Sequence, residues 1–167
     1  MKKYDFVVLG GGSGMIVAQN ALLHNLKVAV VHKPPVGGTC QNFGCIPSKM
    51  LIFPADMITE IQEANKLGIF VEIQKIDFAA IMDRMKKLRA DEQEREKKNL
   101  RDIKNFDYYI GEGHFIKEYV VEINDQQIQG KKFVICTGAR PLIPPIKGID
   151  KRVIIKPKAN KPFNFIN

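Results

Sequence analysis

Tyr4-Asp-Phe-Val-Val-Leu-Gly10-Gly-Gly-Ser-Gly14 begins as an apolar run and stops at a cluster of glycines. The run is strand-sized. Past it, Ile16, Val17, Asn20, Ala21 and Leu23 fall near i, i+4 and i+7, with polar Gln19 and Asn25 elsewhere, which predicts a helix. Lys27-Val-Ala-Val-Val31 reads as a second buried strand. Strand, glycine turn, helix and strand in roughly thirty residues make a βαβ unit, and that unit predicts a parallel sheet.

The turn carries chemistry of its own. Gly10-x-Gly12 lets the chain reverse tightly and lets a pyrophosphate approach bare backbone, while the following helix N-terminus offers free N–H groups and a positive dipole end. The third glycine of the G-x-G-x-x-G fingerprint is replaced by Met15, so the helix is expected to sit differently on the strand. The acidic residue that commonly ends the second strand, and holds a ribose diol, falls at His32, whose imidazole makes a weaker hydrogen bond. The reading is dinucleotide binding, and the alternative is a tight turn alone.

Further along, a helix is expected from about Pro47, with Leu51, Ala55, Ile58 and Ile61 on its buried face, a kink at Pro54 and an end at Gly68. Phe78, Ile81, Met82, Met85 and Leu88 mark another amphipathic helix. From Arg89 to Asn99 only Ala90 is apolar, so this part is expected to project into water with its charges paired at i,i+4. Tyr108–Ile110, Gly113–Ile116, Tyr119–Ile123 and Phe133–Ile135 read as short strands, with a turn at Asn124-Asp125: a small β-meander ending in one more buried strand. Residues 151–167 read as a basic tail.

Composition narrows the class. At 167 residues, with 45% hydrophobic and 26% charged residues, the chain has the make-up of one ordinary globular domain, not of a disordered segment. Apolar runs such as Phe6–Leu9 and Val28–Val31 are too short to span a membrane, and nothing resembles a signal peptide, so a cytoplasmic protein is expected. Of the net charge of +8, +5 falls in residues 147–161, so the excess is a tail effect. No aromatic-basic interleaving supports nucleic-acid binding.

Cys40 and Cys45 lie close together, and Cys136 sits in the apolar run Phe133–Thr137. The pair belongs to Gly37-Gly-Thr-Cys40-Gln-Asn-Phe-Gly-Cys45-Ile-Pro-Ser-Lys49. Two cysteines five positions apart close a disulfide when the intervening chain is helical or tightly turned. Cys45 falls just before the expected helix, where the dipole favours thiolate, and Lys49 adds positive charge one turn on. A zinc site needs about four ligands and has no second pair here, and two incidental cysteines would not explain the glycines. A redox disulfide is the preferred reading.

Gly37 to Lys49 closely resembles the active-site signature of the flavin-dependent pyridine nucleotide–disulfide oxidoreductases. Dihydrolipoamide dehydrogenase, mercuric reductase, mycothione reductase and glutathione reductase belong to that family. The glycine turn stands at the family's distance upstream, and Thr137-Gly-Ala-Arg-Pro141 resembles its second flavin-contacting segment. The resemblance covers roughly residues 4–150. It implies an α/β, Rossmann-like FAD-binding domain over 1–150, a parallel sheet with a small antiparallel β-meander, and 151–167 as a divergent start of the next domain.

By position, the resemblance implies that Gly10, Gly12, Ser13 and Gly14 cradle the FAD pyrophosphate, with His32 beside the adenosine ribose. Gly38 and Thr39 would lie at the cofactor, Lys49 against the isoalloxazine, and Gly113, Thr137 and Gly138 near it through backbone. Cys45 would face the flavin as the charge-transfer thiol, and Cys40 would exchange with a small dithiol or disulfide substrate. Cys136 replaces a small residue and reads as a packing thiol. The implied reaction relays electrons between NAD(P)H, FAD and the Cys40–Cys45 disulfide, with no resident metal.

The family's NAD(P) and dimerisation domains, with a His–Glu pair lent across the dimer, have no counterpart in this sequence, and His24, His32 and His114 lack that catalytic context. The chain is therefore expected to act as a fragment, inactive alone with NAD(P)H. Ser48-Lys49 resembles the lipoamide and mercuric types over the glutathione type, and Pro47–Leu51 and Pro144–Gly148 are similar to mycothione-reductase-like chains. A dihydrolipoamide dehydrogenase-like activity is the first expectation. A stand-alone flavin-binding electron-transfer module and a thiol metal-binding protein are the alternatives.

Overall fold

The first strand, β1 (Lys2–Leu9), ends in three buried residues, Val7, Val8 and Leu9, because it is covered on both faces. A computed structural model describes residues 1–139 together with Leu142, Pro144, Pro145 and Lys147; the expected basic tail at 151–167 lies outside the described residues. The chain divides into two units, one made of Met1–Thr39 with 92–139 and the other holding Cys40–Asp91.

The first unit is a six-stranded sheet. After β1 come α1 (Gly14–Leu23) and β2 (Val28–His32); later come β3 (Phe106–Ile110), β4 (Gly113–Lys117), β5 (Val120–Ile123) and β6 (Gln126–Ile135). The order across the sheet is β3-β2-β1-β6-β5-β4. β1 pairs parallel with β2 and with β6, and β2 pairs parallel with β3, while β4-β5-β6 run antiparallel. This is the parallel sheet with an attached meander that the sequence predicts, joined through β6.

Two details differ from expectation. Tyr108–Ile110 is not part of the meander: it lies in β3, the parallel edge strand beside β2. Phe133–Ile135 is not a separate strand but the end of the ten-residue β6, whose first part pairs with β5 and whose length pairs with β1. A glycine inside a strand pattern reads as a break; here Gly130 is tolerated because a β-carbon there would press on Val7 and Phe133.

Each face of the sheet has its own core. Tyr4, Val7, Leu9, Ala29 and Val31 share one cluster with Val121, Ile123 and Ile128 of the meander. Val8, Val28, Val30 and Phe106 share the other with Ala18 and Ala21 of α1. Each fully buried valine contributes about 1.5–3 kcal/mol of transfer free energy. The acid of the opening run, Asp5, is half-buried and satisfied. It accepts the Lys27 N–H at 2.8 Å and pairs with Lys131 at 2.7 Å, contacts that hold its carboxyl below the usual range.

The buried face of α1 is the expected one only at Ala21. Gly14, Ala18 and Ala21 are buried, whereas Ile16 and Leu23 are 63% and 80% exposed. Small residues at spacings of four and three bring the helix close to the sheet, and that closeness outweighs side-chain size.

The second unit contains most of α2 (Gly38–Phe43), then α3 (Cys45–Glu63) and the first part of α4 (Phe78–Asn99). A 3₁₀ turn, Ala64–Leu67, follows α3 and is closed by Gly68 at φ 77°, as expected of a left-handed cap. Pro54 lies inside α3. Asp77 caps α4 by accepting the Ala80 N–H at 3.0 Å. Of the expected buried face of α3, Leu51, Ile58 and Ile61 are half-buried and Ala55 is exposed; Pro47 alone is buried. Met82 and Met85 of α4 are buried, as expected, but Phe78 and Leu88 are exposed.

Arg89–Asn99 does not stand wholly in water. Arg89, Glu92, Gln93, Glu96 and Lys97 form a half-buried stripe at helical spacing, so polar residues occupy a face that the apolar pattern does not mark. The charges pair at i,i+3, not i,i+4: Arg95 with Glu92 at 2.6 Å and Lys97 with Glu94 at 2.6 Å. Among the described residues no helix is long and apolar enough to cross a membrane.

Candidate functional site

Gly10 leaves the C-terminal end of β1 at φ 114°, donating its N–H to Val31 O at 2.8 Å. A side chain there would run into the carbonyl of Cys136, whose own N–H reaches Leu9 O at 2.7 Å. β2 lies on one side of β1 and β6 on the other, so the turn sits where the strand order reverses, the place where open α/β sheets take ligands.

The backbone of the turn is arranged to receive an anion. Met15 and Ile16 donate to Gly12 O and Ser13 O at 3.1 Å, while the N–H groups of Gly12 and Ser13 make no hydrogen bond among the described residues. Ser13 does not cap α1 through its side chain, and no acidic residue stands in the first turn. The helix end therefore keeps its orphan donors and its partial positive charge.

Gly14, not position 15, brings α1 onto the strand. A β-carbon at Gly14 would stand 2.6 Å from Val8 Cγ1 and 3.2 Å from Cys136 Cβ. Met15 is half-buried and packs on the cluster around Val8 and Val30. The departure from the fingerprint thus leaves the close packing in place, one residue earlier. Cys136 is a free, half-buried thiol beside Gly14.

His32 joins the turn directly. Gly11 donates its N–H to His32 Nδ1 at 2.8 Å, and His32 Nε2–H donates to Pro35 O at 3.0 Å. Both ring nitrogens are thus engaged with backbone, and burial holds the imidazole below its ordinary pKa. Gly38, at φ 71°, lies against the turn: a β-carbon there would be 2.6 Å from Gly12 Cα. Gly10, Gly12, Ser13, Gly14, His32 and Gly38 therefore converge. Thr137 follows Cys136 beside Gly10, and both it and Gly138 are exposed. Gly113, the first residue of β4, packs on apolar groups instead, with Val31 Cγ1 2.9 Å from where its β-carbon would be.

Two residues at the turn were not singled out from the sequence. Gly11 is buried, and a β-carbon on it would stand 2.6 Å from Tyr108 Oη and 2.8 Å from His32 Cγ. Tyr108 Oη is buried with no hydrogen-bond partner among the described residues, and burial, with Glu96 nearby, raises its pKa. No periodicity marks Tyr108, because it lies in a strand whose neighbours are also aromatic.

In the second unit, Cys40 and Cys45 form a disulfide with a Cα–Cα distance of 4.9 Å. Helical α2 closes the spacing, and the break at Gly44 (φ −128°, ψ −111°) starts α3 at Cys45, two residues earlier than the expected Pro47. Ser48 ties the first turn by donating Oγ–H to Gly44 O at 2.8 Å, with Cys45 O at 3.0 Å. Cys40, Cys45 and Lys49 are all exposed, and so is Thr39 in the first turn of α2. An exposed disulfide with one sulfur on a helix N-terminus is open to thiol exchange, and its thiolate is favoured on reduction.

A cleft of about 650 Å³ is lined by Lys3, Asp5, Lys27 and Lys131, at the other end of the strands from the glycine turn.

Comparison with known proteins covers both stretches of sequence. The pyridine nucleotide-disulphide oxidoreductase pattern matches residues 4–162. This chain belongs to that family. A mercuric reductase of Bacillus cereus is 35% identical over 150 residues, covering 89% of this chain and 24% of the relative. A dihydrolipoyl dehydrogenase of Bacillus subtilis (strain 168) is 32% identical over 168 residues, covering 92% and 35%. The solved HOCl-induced flavoprotein disulfide reductase RclA from Escherichia coli superposes with a TM-score of 0.70 at 29% identity, covering 88% of this chain and 31% of that one. The chain thus spans about a quarter to a third of the length of these relatives. The family consists of FAD-containing enzymes that use NAD(P)H as co-substrate.

Proposed function

We propose that this chain is the FAD-binding and disulfide-carrying part of a dihydrolipoamide dehydrogenase-like disulfide oxidoreductase of the cytoplasm. The observation that carries the reading is the exposed Cys40–Cys45 disulfide with Cys45 on the first turn of α3. The glycine turn fits the dinucleotide: the Gly12 and Ser13 amides make no hydrogen bond among the described residues, and side chains are excluded at Gly10 and Gly38. Gly10, Gly12, Ser13 and Gly14 would hold the pyrophosphate, with Gly38, Thr39, Lys49, Gly113, Thr137 and Gly138 at the remainder of the cofactor. When bound, FAD supplies two-electron transfer between a nicotinamide hydride and a disulfide.

The protein's own residues then do the thiol chemistry. Two electrons and two protons open Cys40–Cys45 to a dithiol. The Cys40 thiolate attacks a small disulfide substrate, forming a mixed disulfide and releasing one thiol. Cys45 Sγ attacks Cys40 Sγ, restores the intramolecular disulfide and releases the second thiol. With a dithiol substrate the same steps run in reverse. The α3 N-terminus and Lys49 favour the Cys45 thiolate.

A second reading has support in the mercuric reductases among the relatives: the reduced, exposed pair would bind a soft metal ion as substrate. The test is exchange with lipoamide. The reduced chain should convert lipoamide to dihydrolipoamide in equimolar amount, and Cys40→Ser should abolish this. Tight mercuric-ion binding by the reduced chain with no exchange on lipoamide would move the assignment to the second reading.

A further inference from the structure

His32 stands where the family resemblance places a group beside the adenosine ribose, yet its ring has no polar atom to give. Nδ1 takes the Gly11 N–H at 2.8 Å, and Nε2–H is given to Pro35 O at 3.0 Å. Only the neutral Nε2–H tautomer makes both bonds at once. Tyr108 Oη stands with the His32 ring where a β-carbon on Gly11 would be, and the segment beyond Pro35 leads to Gly38, which rests on Gly12.

We infer that His32 is a positioning residue, not a ribose ligand: it ties the glycine turn to the Pro35–Gly38 segment and fixes the approach of Gly38 to Gly12. The inference rests on the FAD reading above for its consequence but not for its geometry. The clamp also consumes the Gly11 amide, so the donors the turn keeps for a phosphate begin at Gly12 and Ser13. The chain then selects a dinucleotide by its pyrophosphate and not by the adenosine ribose hydroxyls.

Tyr108 Oη of β3 faces Gly11 and the imidazole, and Lys33 pairs with Glu112 at 2.5 Å beside it in the chain and at the following turn. Both ring nitrogens are taken by backbone, and these two bonds define the state of the ring.

Two measurements test the proposal. The first needs no cofactor: amide exchange of Gly11 and pH titration of the His32 ring, by NMR on the whole chain. Gly11 should exchange at least about tenfold more slowly than Gly12. His32→Ala should remove that protection, and His32→Gln, whose amide also accepts and donates, should keep part of it without pH dependence. Wild-type Gly11 exchanging as fast as Gly12, with a ring that titrates like free imidazole, would overturn the inference even if His32→Ala fails to fold.

The second measurement compares FAD with its analogue lacking the adenosine 2′-hydroxyl, by flavin-fluorescence titration. The two Kd values should agree within about twofold. A loss of about tenfold or more that disappears in His32→Ala would overturn the inference. Failure of the chain to bind FAD at all would defeat the proposed function, while the Gly11 exchange would still decide the clamp.

Discussion

Gly14 rests on Val8, with 2.6 Å separating Val8 Cγ1 from the place a β-carbon at Gly14 would occupy. That contact, together with Ala18 and Ala21, sets how near α1 approaches the sheet. Overpacking costs about 1–3 kcal/mol, which exceeds the ~1 kcal/mol that alanine gains over glycine inside a helix. Gly14→Ala should therefore lower the midpoint of urea unfolding. Met15→Gly, which recreates the usual fingerprint, should also destabilise, by roughly 1–3 kcal/mol, because it removes packing and helix propensity together. A gain in stability from Met15→Gly would show that position 15, and not Gly14, limits the approach.

His32 gives stability a definite pH dependence. Its ordinary value is 6.5, and burial lowers it in the folded chain. The unfolded chain therefore takes up the proton first as pH falls. The contribution is full above 6.5 and is lost as pH drops through that value toward the folded-state one. Unfolding midpoints measured between about pH 5 and 8 should fall on the acid side, and His32→Gln should flatten that part of the curve.

The cysteines make a counting prediction. With Cys40 and Cys45 paired and Cys136 free, the denatured, unreduced chain should titrate one thiol and the reduced chain three. In the folded, reduced chain, alkylation should reach the exposed Cys40 and Cys45 before the half-buried Cys136.

The hairpin between β5 and β6 turns on Asn124 and Asp125, both at positive φ (46° and 62°). That geometry favours glycine at the second position. Asp125→Gly should raise stability by relieving the left-handed backbone, seen as a higher Tm, while Asn124 keeps its bond from Nδ2 to Ile110 O at 2.9 Å. Asp125→Val should lower it.

Much of this was legible in the sequence because the decisive signals are local. The β1–turn–α1–β2 unit follows from period and glycine placement, and Cys40 and Cys45 lie within one helical turn and a break. What the sequence hid depends on long-range packing. Gly14 replaces the fingerprint glycine only because Val8 and Cys136 happen to meet it. Tyr108 looked like part of a meander because strand pattern carries no information on which neighbour is paired. Arg89–Asn99 looked solvated because half-buried polar stripes have no apolar period. The engagement of both His32 nitrogens depends on Gly11 and Pro35 backbone atoms, which a residue alphabet does not show.

The central claim is that the glycine turn of this chain holds FAD. The most direct measurement is an FAD titration of the purified chain by quenching of flavin fluorescence, with Gly12→Ala beside it. A β-carbon at Gly12 meets only Gly38 Cα, at 3.7 Å, so the variant should fold normally. Saturable, equimolar binding by the wild type, weakened at least about tenfold in Gly12→Ala, is the result predicted. Absence of saturable binding, or equal affinity in the two chains, would contradict it.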